Sequence, residues 1–179
     1  MSSRRAFLWA SAATVVCVHK AGRQTGAPAR LPAVRLVFGG DVMLARYVGK
    51  LARAKGDPAW SWRQVAARFA AADLACVNLE SPFSDRPLAT TANMIFRAEP
   101  EMIEGLTAAG VDLVSTANNH ARDCGAHGIK FTLDWLSQHG IAAVGTAHTE
   151  EEAHAGRILA RHGTRFGFLA YTYDQSNGN

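Results

Sequence analysis

Three short polar clusters, each placed just after an apolar run, contain the side chains of this sequence best suited to chemistry. They are Gly40–Asp41, Asn78–Glu80 and Asn118–His120. Carboxylate oxygens, amide oxygens and imidazole nitrogens are the groups that hold hard or borderline divalent metals. The clusters therefore predict a site for one or two Mn, Zn, Fe or Mg ions, with Asp41, Glu80 and Asn119 as oxygen ligands.

A metal held in this way would polarise a phosphoryl or carbonyl oxygen and would acidify bound water toward neutral pH. His120 would bind the metal or donate a proton to the leaving group, because imidazole titrates near neutrality. Taken alone, Asp41 fits a turn or helix-capping residue, and Asn78 fits an Asx-turn acceptor. Three such clusters after successive strands favour a shared site over three unrelated turns.

The elements around these clusters alternate between short apolar strands and helices. Strands are predicted at 34–38, 74–77, 112–115, 142–144, 158–161 and 166–171, the last two as a hairpin. Helices are predicted at 62–72 with Ser61 as the cap, from Pro100 to Gly110, and at 127–139, and a short helix follows the capping box at Thr149. This succession predicts an α/β fold, in which loops at the carboxyl ends of strands gather around ligands.

The first 29 residues read as a targeting segment. Arg4 and Arg5 precede an apolar stretch at 6–18, which is shorter than the roughly 20 residues that span a bilayer. The run from Ser3 to Leu8 is similar to a twin-arginine signal. We therefore expect residues 1–29 to be a signal peptide and the protein to be exported to the periplasm or cell surface. A retained membrane anchor is the alternative, because the cleavage site is weak.

The net charge of +4 comes from this N-terminal segment. Residues 30–179 contain equal numbers of basic and acidic residues, 15 of each. A neutral body without a clustered basic face gives no footprint for nucleic acid. Nucleic acid is therefore not expected as a partner.

Three longer motifs carry a resemblance to a known family. They are 38–44 (FGGDVML), 73–82 (DLACVNLESP) and 109–120 (AGVDLVSTANNH). In order, spacing and strand context they resemble the capsule synthesis protein CapA family, the poly-gamma-glutamate capsule group related to calcineurin-like metallophosphoesterases. The resemblance implies a metallophosphoesterase-like, layered α/β/β/α sandwich over residues 30–179.

The same resemblance implies roles for individual residues. Asp41, Glu80 and Asn119 become metal ligands and His120 a catalytic acid or a further ligand. Asn78 and Asn118 become amides that orient the ligands or add to them. Arg97 is a candidate for binding an anionic substrate, with an exposed structural arginine as the simpler alternative.

The resemblance stops short of two histidine-containing segments that complete the metal centre in the family. Nothing after Tyr173 is similar to the His-Trp-Gly segment or to the Gly-His-His-Pro-His-like segment. We therefore expect residues 30–179 to be the N-terminal half of the domain, truncated at the C-terminus, with an incomplete metal site.

The expected function is a part in the biosynthesis of a capsule, poly-gamma-glutamate or a related surface polymer. An enzyme of this kind would be a metal-dependent hydrolase that cleaves a phosphoester or a polyglutamate amide. Its partners would be an anionic surface polymer or phosphoester substrate and membrane-associated capsule machinery. The alternatives are a non-catalytic polymer-binding or assembly component of an export complex and an inactive fragment.

Overall fold

The computed structural model describes residues 12–17, 32–88 and 94–173 of the 179-residue chain. Its strands are β1 (Ala12–Cys17), β2 (Leu36–Val42), β3 (Leu74–Leu79), β4 (Leu113–Ser115), β5 (Ala142–Val144), β6 (Arg157–Arg161) and β7 (Thr164–Tyr171). Four of them form a parallel sheet in the order β2-β3-β4-β5. The other three form an antiparallel sheet in the order β1-β7-β6.

The helices of the described residues are α1 (Arg46–Ala54), α2 (Ala66–Ala70), α3 (Ile103–Ala108), α4 (Gly125–Gln138) and α5 (Glu150–His154), with 3₁₀ turns at Trp60–Trp62 and Pro100–Met102. Helices α1 to α4 lie between successive parallel strands, and α5 lies between β5 and β6. Of the helices within the described residues, none is long and apolar enough to cross a membrane.

Alternating side chains of the parallel sheet build two hydrophobic cores. Val77 and Leu79 of β3 lie in the core that the sheet shares with the helices, where Leu106 and Leu136 are fully buried. Leu74 and Cys76 of the same strand lie in a second core, together with Phe166 and Phe168 of β7. Because successive strand residues point to opposite faces, one strand serves both cores.

The described residues therefore stack as helices, parallel sheet and antiparallel sheet. The α/β class predicted from the sequence is confirmed, as a mixed α/β arrangement consistent with the metallophosphoesterase-like sandwich. Most of the predicted signal segment at 1–29 lies outside the described residues. Within it, Ala12–Cys17 is strand β1, paired antiparallel with β7.

Several local predictions from turn chemistry are confirmed. Thr149 caps α5 by accepting a hydrogen bond at its Oγ1 from the Glu152 backbone nitrogen at 3.2 Å. Gly110 follows α3 with a φ of +69°, a left-handed conformation that glycine adopts without steric cost. The hairpin of β6 and β7 turns at His162 and Gly163, both with positive φ, as two-residue hairpin turns require.

Three boundaries predicted from the sequence are wrong. The first strand runs to Val42 instead of ending at Phe38, so Asp41 lies within the strand. The helix predicted at 62–72 is a 3₁₀ turn at Trp60–Trp62 followed by the five residues of α2, and Ser61 lies inside the turn instead of capping it. Trp62 is buried there with its ring edge-on to Phe69 at 5.5 Å, so packing overrides the helical periodicity.

Helix α1 is a further correction, because no helix was predicted between the first strand and residue 62. The helix has no side-chain cap and no acidic residue in its first turn, so the usual start signals are missing. Gly49 and Ala52 are buried on its inner face. Tertiary packing of that face, more than intrinsic propensity, stabilises such a short helix.

Candidate active site

The candidate site lies where the parallel strands β2, β3 and β4 end. Asp41 of β2 pairs with Asn78 of β3, and Asn78 pairs with Ser115 of β4. Parallel strands present their carboxyl ends at one edge of the sheet, which is where ligands bind in α/β proteins. The polar clusters that follow these strands are therefore neighbours in space.

An irregularity in β2 places Asp41 beside Asn78. Phe38 pairs with Cys76, but Asp41 pairs with Asn78, so β2 contains one residue more than β3 over this interval. The extra residue falls at Gly39–Gly40 and has the character of a β-bulge. In an unbroken register Asp41 would pair with Leu79, whose side chain lies in the core beneath the helices.

Asn78 holds the two carboxylates of the site together. Its Nδ2 donates hydrogen bonds to Asp41 Oδ1 at 2.8 Å and to Glu80 Oε2 at 2.7 Å. Its Oδ1 accepts a hydrogen bond from Asn118 Nδ2 at 3.0 Å. A neutral amide thus spaces two acidic groups that would otherwise repel one another.

Asn118 connects this pair to the loop after β4. Its side chain is only 1% exposed, and its Nδ2 also donates to the Leu79 carbonyl oxygen at 2.8 Å. Its Oδ1 accepts from the His120 backbone nitrogen at 3.0 Å. Every polar atom of this buried amide therefore has a partner, as buried polar groups require.

His120 is held by a carboxylate on one side and an aromatic ring on another. Its Nδ1 lies 2.8 Å from Asp123 Oδ2, which also accepts a hydrogen bond from the Phe96 backbone nitrogen at 2.6 Å. The Phe96 ring stacks on the imidazole with centroids 4.0 Å apart. An ionised carboxylate is only an acceptor, so Nδ1 carries the proton and Nε2 is left for chemistry.

The free nitrogen of His120 lies toward the carboxylate pair. His120 Nε2 is 3.8 Å from Glu80 Oε1, slightly too far for a direct hydrogen bond. Asp41, Asn78, Glu80, Asn118, His120 and Asp123 thus form one connected chain of polar contacts. Such an arrangement can hold a cation at one end and move a proton at the other.

The electrostatics of the site favour added positive charge. Burial raises the pKa of Glu80 above its usual value, and the neighbouring charge of Asp41 raises that pKa further. The hydrogen bond from Asn78 acts in the opposite direction but is the smaller effect. A bound cation would compensate the negative charges of these two carboxylates.

The side chains of the site supply some, but not all, of the ligands that a divalent ion requires. Asp41 and Glu80 supply anionic oxygens, the donors that hard cations prefer. Across the described ranges, however, no three His, Cys, Asp or Glu side chains form a group that could hold a metal by themselves. An ion bound here would take its remaining ligands from water, substrate or other groups.

A comparison with known protein families covers the residues of this site. The model of the family described as bacterial capsule synthesis protein PGA_cap matches residues 35–179, which include every element of the candidate site. This chain belongs to the PGA_cap family. The motifs that pointed to the capsule synthesis group are those that form the carboxyl edge of the parallel sheet.

Curated relatives of this PGA_cap chain include proteins named for polymer synthesis. The PGA biosynthesis protein CapA of Bacillus subtilis (strain 168) is 29% identical over 118 residues, which cover 65% of this chain and 31% of that protein. A probable polyglutamine synthesis accessory protein of Mycobacterium tuberculosis (strain CDC 1551 / Oshkosh) is 27% identical, covering 63% of this chain and 38% of its own length. The chain thus spans about a third of the length of the relatives it matches.

Two further residues were predicted for the PGA_cap site, Asn119 and Arg97. Asn119 is exposed in the turn between Asn118 and His120. Arg97 is mostly buried, and its guanidinium donates to the Ser84 carbonyl oxygen at 2.7 Å and pairs with the Glu99 carboxylate. The guanidinium of Arg97 is thus engaged in contacts within the fold.

Two residues of the site were not found from the sequence. Asp123 follows His120 by three residues, and that short spacing within one loop was a signal that could have identified it as the partner of the imidazole. Phe96 precedes its stacking partner by 24 positions and belongs to a different loop. No local pattern connects Phe96 to the site.

The two cysteines near the site should be unreactive in the folded protein. Burial is the main cause that raises the pKa of Cys76 to about 12 and that of Cys124 to about 11. Since the thiolate is the nucleophile, alkylation by iodoacetamide at pH 8 should be about 100-fold slower than for an exposed thiol. Mass spectrometry of a Cys17→Ser variant measures both rates, and the same protein in guanidinium is the control. Rapid alkylation in buffer would contradict the buried positions.

Proposed function

We propose that this PGA_cap chain forms part of a metal-dependent hydrolase that acts in the synthesis, release or anchoring of an anionic surface polymer. The observation that supports the proposal is the arrangement of His120. Asp123 orients its ring, and its free Nε2 lies 3.8 Å from Glu80, which shares Asn78 with Asp41. An oriented imidazole beside paired carboxylates is a common catalytic combination in hydrolysis.

In this proposal Asp41 and Glu80 hold a Mn, Zn, Fe or Mg ion. When bound, the ion would supply Lewis-acid polarisation of the substrate oxygen and acidification of bound water. Asn78 keeps the two carboxylates at a fixed spacing, and Asn118 keeps Asn78 in the orientation that does so. Groups that orient metal ligands in this way commonly change metal affinity by about 10- to 100-fold.

His120 supplies the proton for the leaving group. With Nδ1–H directed at Asp123, the ring is held in one orientation, and Nε2–H would be the donor to the leaving group. The stacked Phe96 ring and the buried position of His120 restrict the ring to one orientation. General acid catalysis of this kind contributes about 10²- to 10⁴-fold to a rate.

The substrate class in the proposal follows from the family. Its description names capsule synthesis, and one relative is named for PGA biosynthesis. An anionic polymer at the cell surface, built or trimmed by exported machinery, fits those names and the signal-like residues 1–29. The bond broken would be a phosphoester or a glutamyl amide.

The test is divalent-metal binding together with cleavage. We expect Mn²⁺ titration of the full protein to show stoichiometric binding, with turnover of a generic phosphodiester or of poly-gamma-glutamate. Glu80→Gln should weaken Mn²⁺ binding by about 100-fold, since it removes one of two anionic oxygen ligands. Glu104→Gln, an exposed carboxylate in α3, is the matched control and should bind as the wild type does.

The opposite outcome would indicate a different role. Wild-type protein that binds no stoichiometric divalent ion and cleaves neither substrate would contradict the hydrolase. The same loops would then serve to bind polymer or to assemble with membrane-associated capsule machinery.

A further inference from the structure

The candidate site has an excess of negative charge for an anionic substrate. Asp41, Glu80 and Asp123 contribute three carboxylates, and the side chains joined to them are two neutral amides and the imidazole of His120. An incoming phosphoryl or carboxylate group would be repelled unless fixed positive charge lies nearby. The divalent ion of the proposed function would offset part of this charge at Asp41 and Glu80, and a cationic side chain close to His120 would offset the rest.

Arg97 is poorly placed for this role. Its side chain is 18% exposed, and its guanidinium is already occupied by the Ser84 carbonyl oxygen and the Glu99 carboxylate. Withdrawing it toward a substrate would leave Glu99 partly buried with its charge less well compensated. Arg97 instead stabilises the segment that holds Phe96 in place.

Arg46 has the properties that Arg97 lacks. Its side chain is exposed, and its guanidinium carbon lies 5.8 Å from the centroid of the Phe96 ring, the same ring that stacks on His120. Its other described contact is a weak one, Nη1 to the Met94 sulfur at 4.0 Å. Among the described residues no carboxylate lies within salt-bridge distance of Arg46, so its charge is available to a ligand.

The backbone conformation of Arg46 also indicates a functional role for this residue. Its φ is +54°, a left-handed conformation in which an L side chain costs about 1–2 kcal/mol and glycine costs nothing. Strained non-glycine residues of this kind cluster at functional sites. A structural role alone would be better filled by glycine at this position.

We infer that Arg46 binds the anionic group of the substrate and positions it beside His120. This inference rests on the proposed function for the presence of a substrate anion. The guanidinium would form a bidentate contact with two oxygens of a phosphoryl or carboxylate group. The face of Phe96 steers the guanidinium while leaving its nitrogens free for those oxygens.

Direct anion binding tests the inference separately from catalysis. Inorganic phosphate and a tri-glutamate peptide are titrated into the full protein with EDTA present, so that neither metal nor turnover is needed. Arg46→Ala should weaken binding of the preferred anion by about tenfold or more, and Arg46→Lys should recover only part of the loss. The probe whose affinity falls in Arg46→Ala, phosphate or the tri-glutamate peptide, shows whether the substrate anion is a phosphoryl or a carboxylate group.

Two further variants separate a binding role from a structural one. Arg46→Gly removes the strain, so its urea midpoint should stay unchanged or rise while its anion affinity falls as in Arg46→Ala. Arg53→Ala removes the same charge from the exposed end of the same helix, where Arg53 is 62% exposed, and should bind as the wild type does. Opposite changes in stability and binding are not expected from a structural residue.

The binding and cleavage results together distinguish a failure of the Arg46 inference from a failure of the proposed hydrolase. Anion affinities of Arg46→Ala within twofold of the wild type for both probes would overturn the inference, as would equal losses in Arg53→Ala. Arg46-dependent anion binding in a protein that fails the Mn²⁺ and cleavage tests would support the inference and contradict the hydrolase. Mn²⁺-dependent cleavage that is insensitive to Arg46→Ala would support the hydrolase and contradict the inference.

Discussion

Replacement of Asn118 by Asp is expected to lower the free energy of unfolding by about 3 kcal/mol or more at pH 7. The substitution keeps the shape of the side chain but turns the donor Nδ2 into an oxygen. That oxygen would face two acceptors, the Asn78 Oδ1 and the Leu79 carbonyl oxygen, at a position only 1% exposed. Urea denaturation of the two proteins measures the difference.

The pH dependence of this loss provides a second measurement. Burial beside two acceptors would raise the pKa of the introduced carboxyl in the folded protein above its unfolded value, so the folded protein holds the proton more strongly. The loss relative to wild type should therefore be small below about pH 4 and should grow as the pH rises above that value.

A control variant separates the buried position from the chemical change. Gln64→Glu also replaces an amide by a carboxyl group, but at an exposed position, and should change stability by less than about 0.5 kcal/mol. A loss for Asn118→Asp no larger than that of Gln64→Glu would contradict the hydrogen-bond network described for the site.

Replacement of Asp123 by Asn is expected to reduce turnover by about 100-fold or more, if the protein is the hydrolase proposed above. The amide oxygen can still accept the hydrogen bond from the Phe96 backbone nitrogen, so the loop should stay folded. The charge-assisted contact that orients His120 through its Nδ1 is lost. Steady-state turnover together with a thermal melt distinguishes this loss from unfolding.

The protein contains its own control for this experiment. His127 Nε2 and Asp85 Oδ1 lie 2.6 Å apart in an exposed Asp–His pair that is not part of the polar chain of the site. Asp85→Asn should therefore leave turnover unchanged. Turnover of Asp123→Asn within threefold of wild type, or an equal loss in both variants, would contradict the role given to Asp123.

Much of the fold could be predicted from periodicity and turn residues. The Thr149 cap, the glycine that follows α3 and the hairpin at His162–Gly163 depend on local chemistry that the sequence states directly. Helix α1 could not be predicted in this way, because it lacks a cap and is stabilised by packing of Gly49 and Ala52. The 3₁₀ conformation at Trp62 is likewise determined by tertiary packing against Phe69 and not by the helical periodicity of the sequence.

The sequence by itself determined the family, the α/β class and the three strand ends on which the polar clusters lie, because these depend on local pattern and order along the chain. Only the tertiary structure decided which side chains meet there. The bulge at Gly39–Gly40 aligns Asp41 with Asn78, and Asn118 turns inward while Asn119 stays exposed. Phe96 contacts both Arg46, at the start of α1, and His120, in the loop after β4. Such contacts arise from register and packing between distant segments, which no local pattern in the chain encodes.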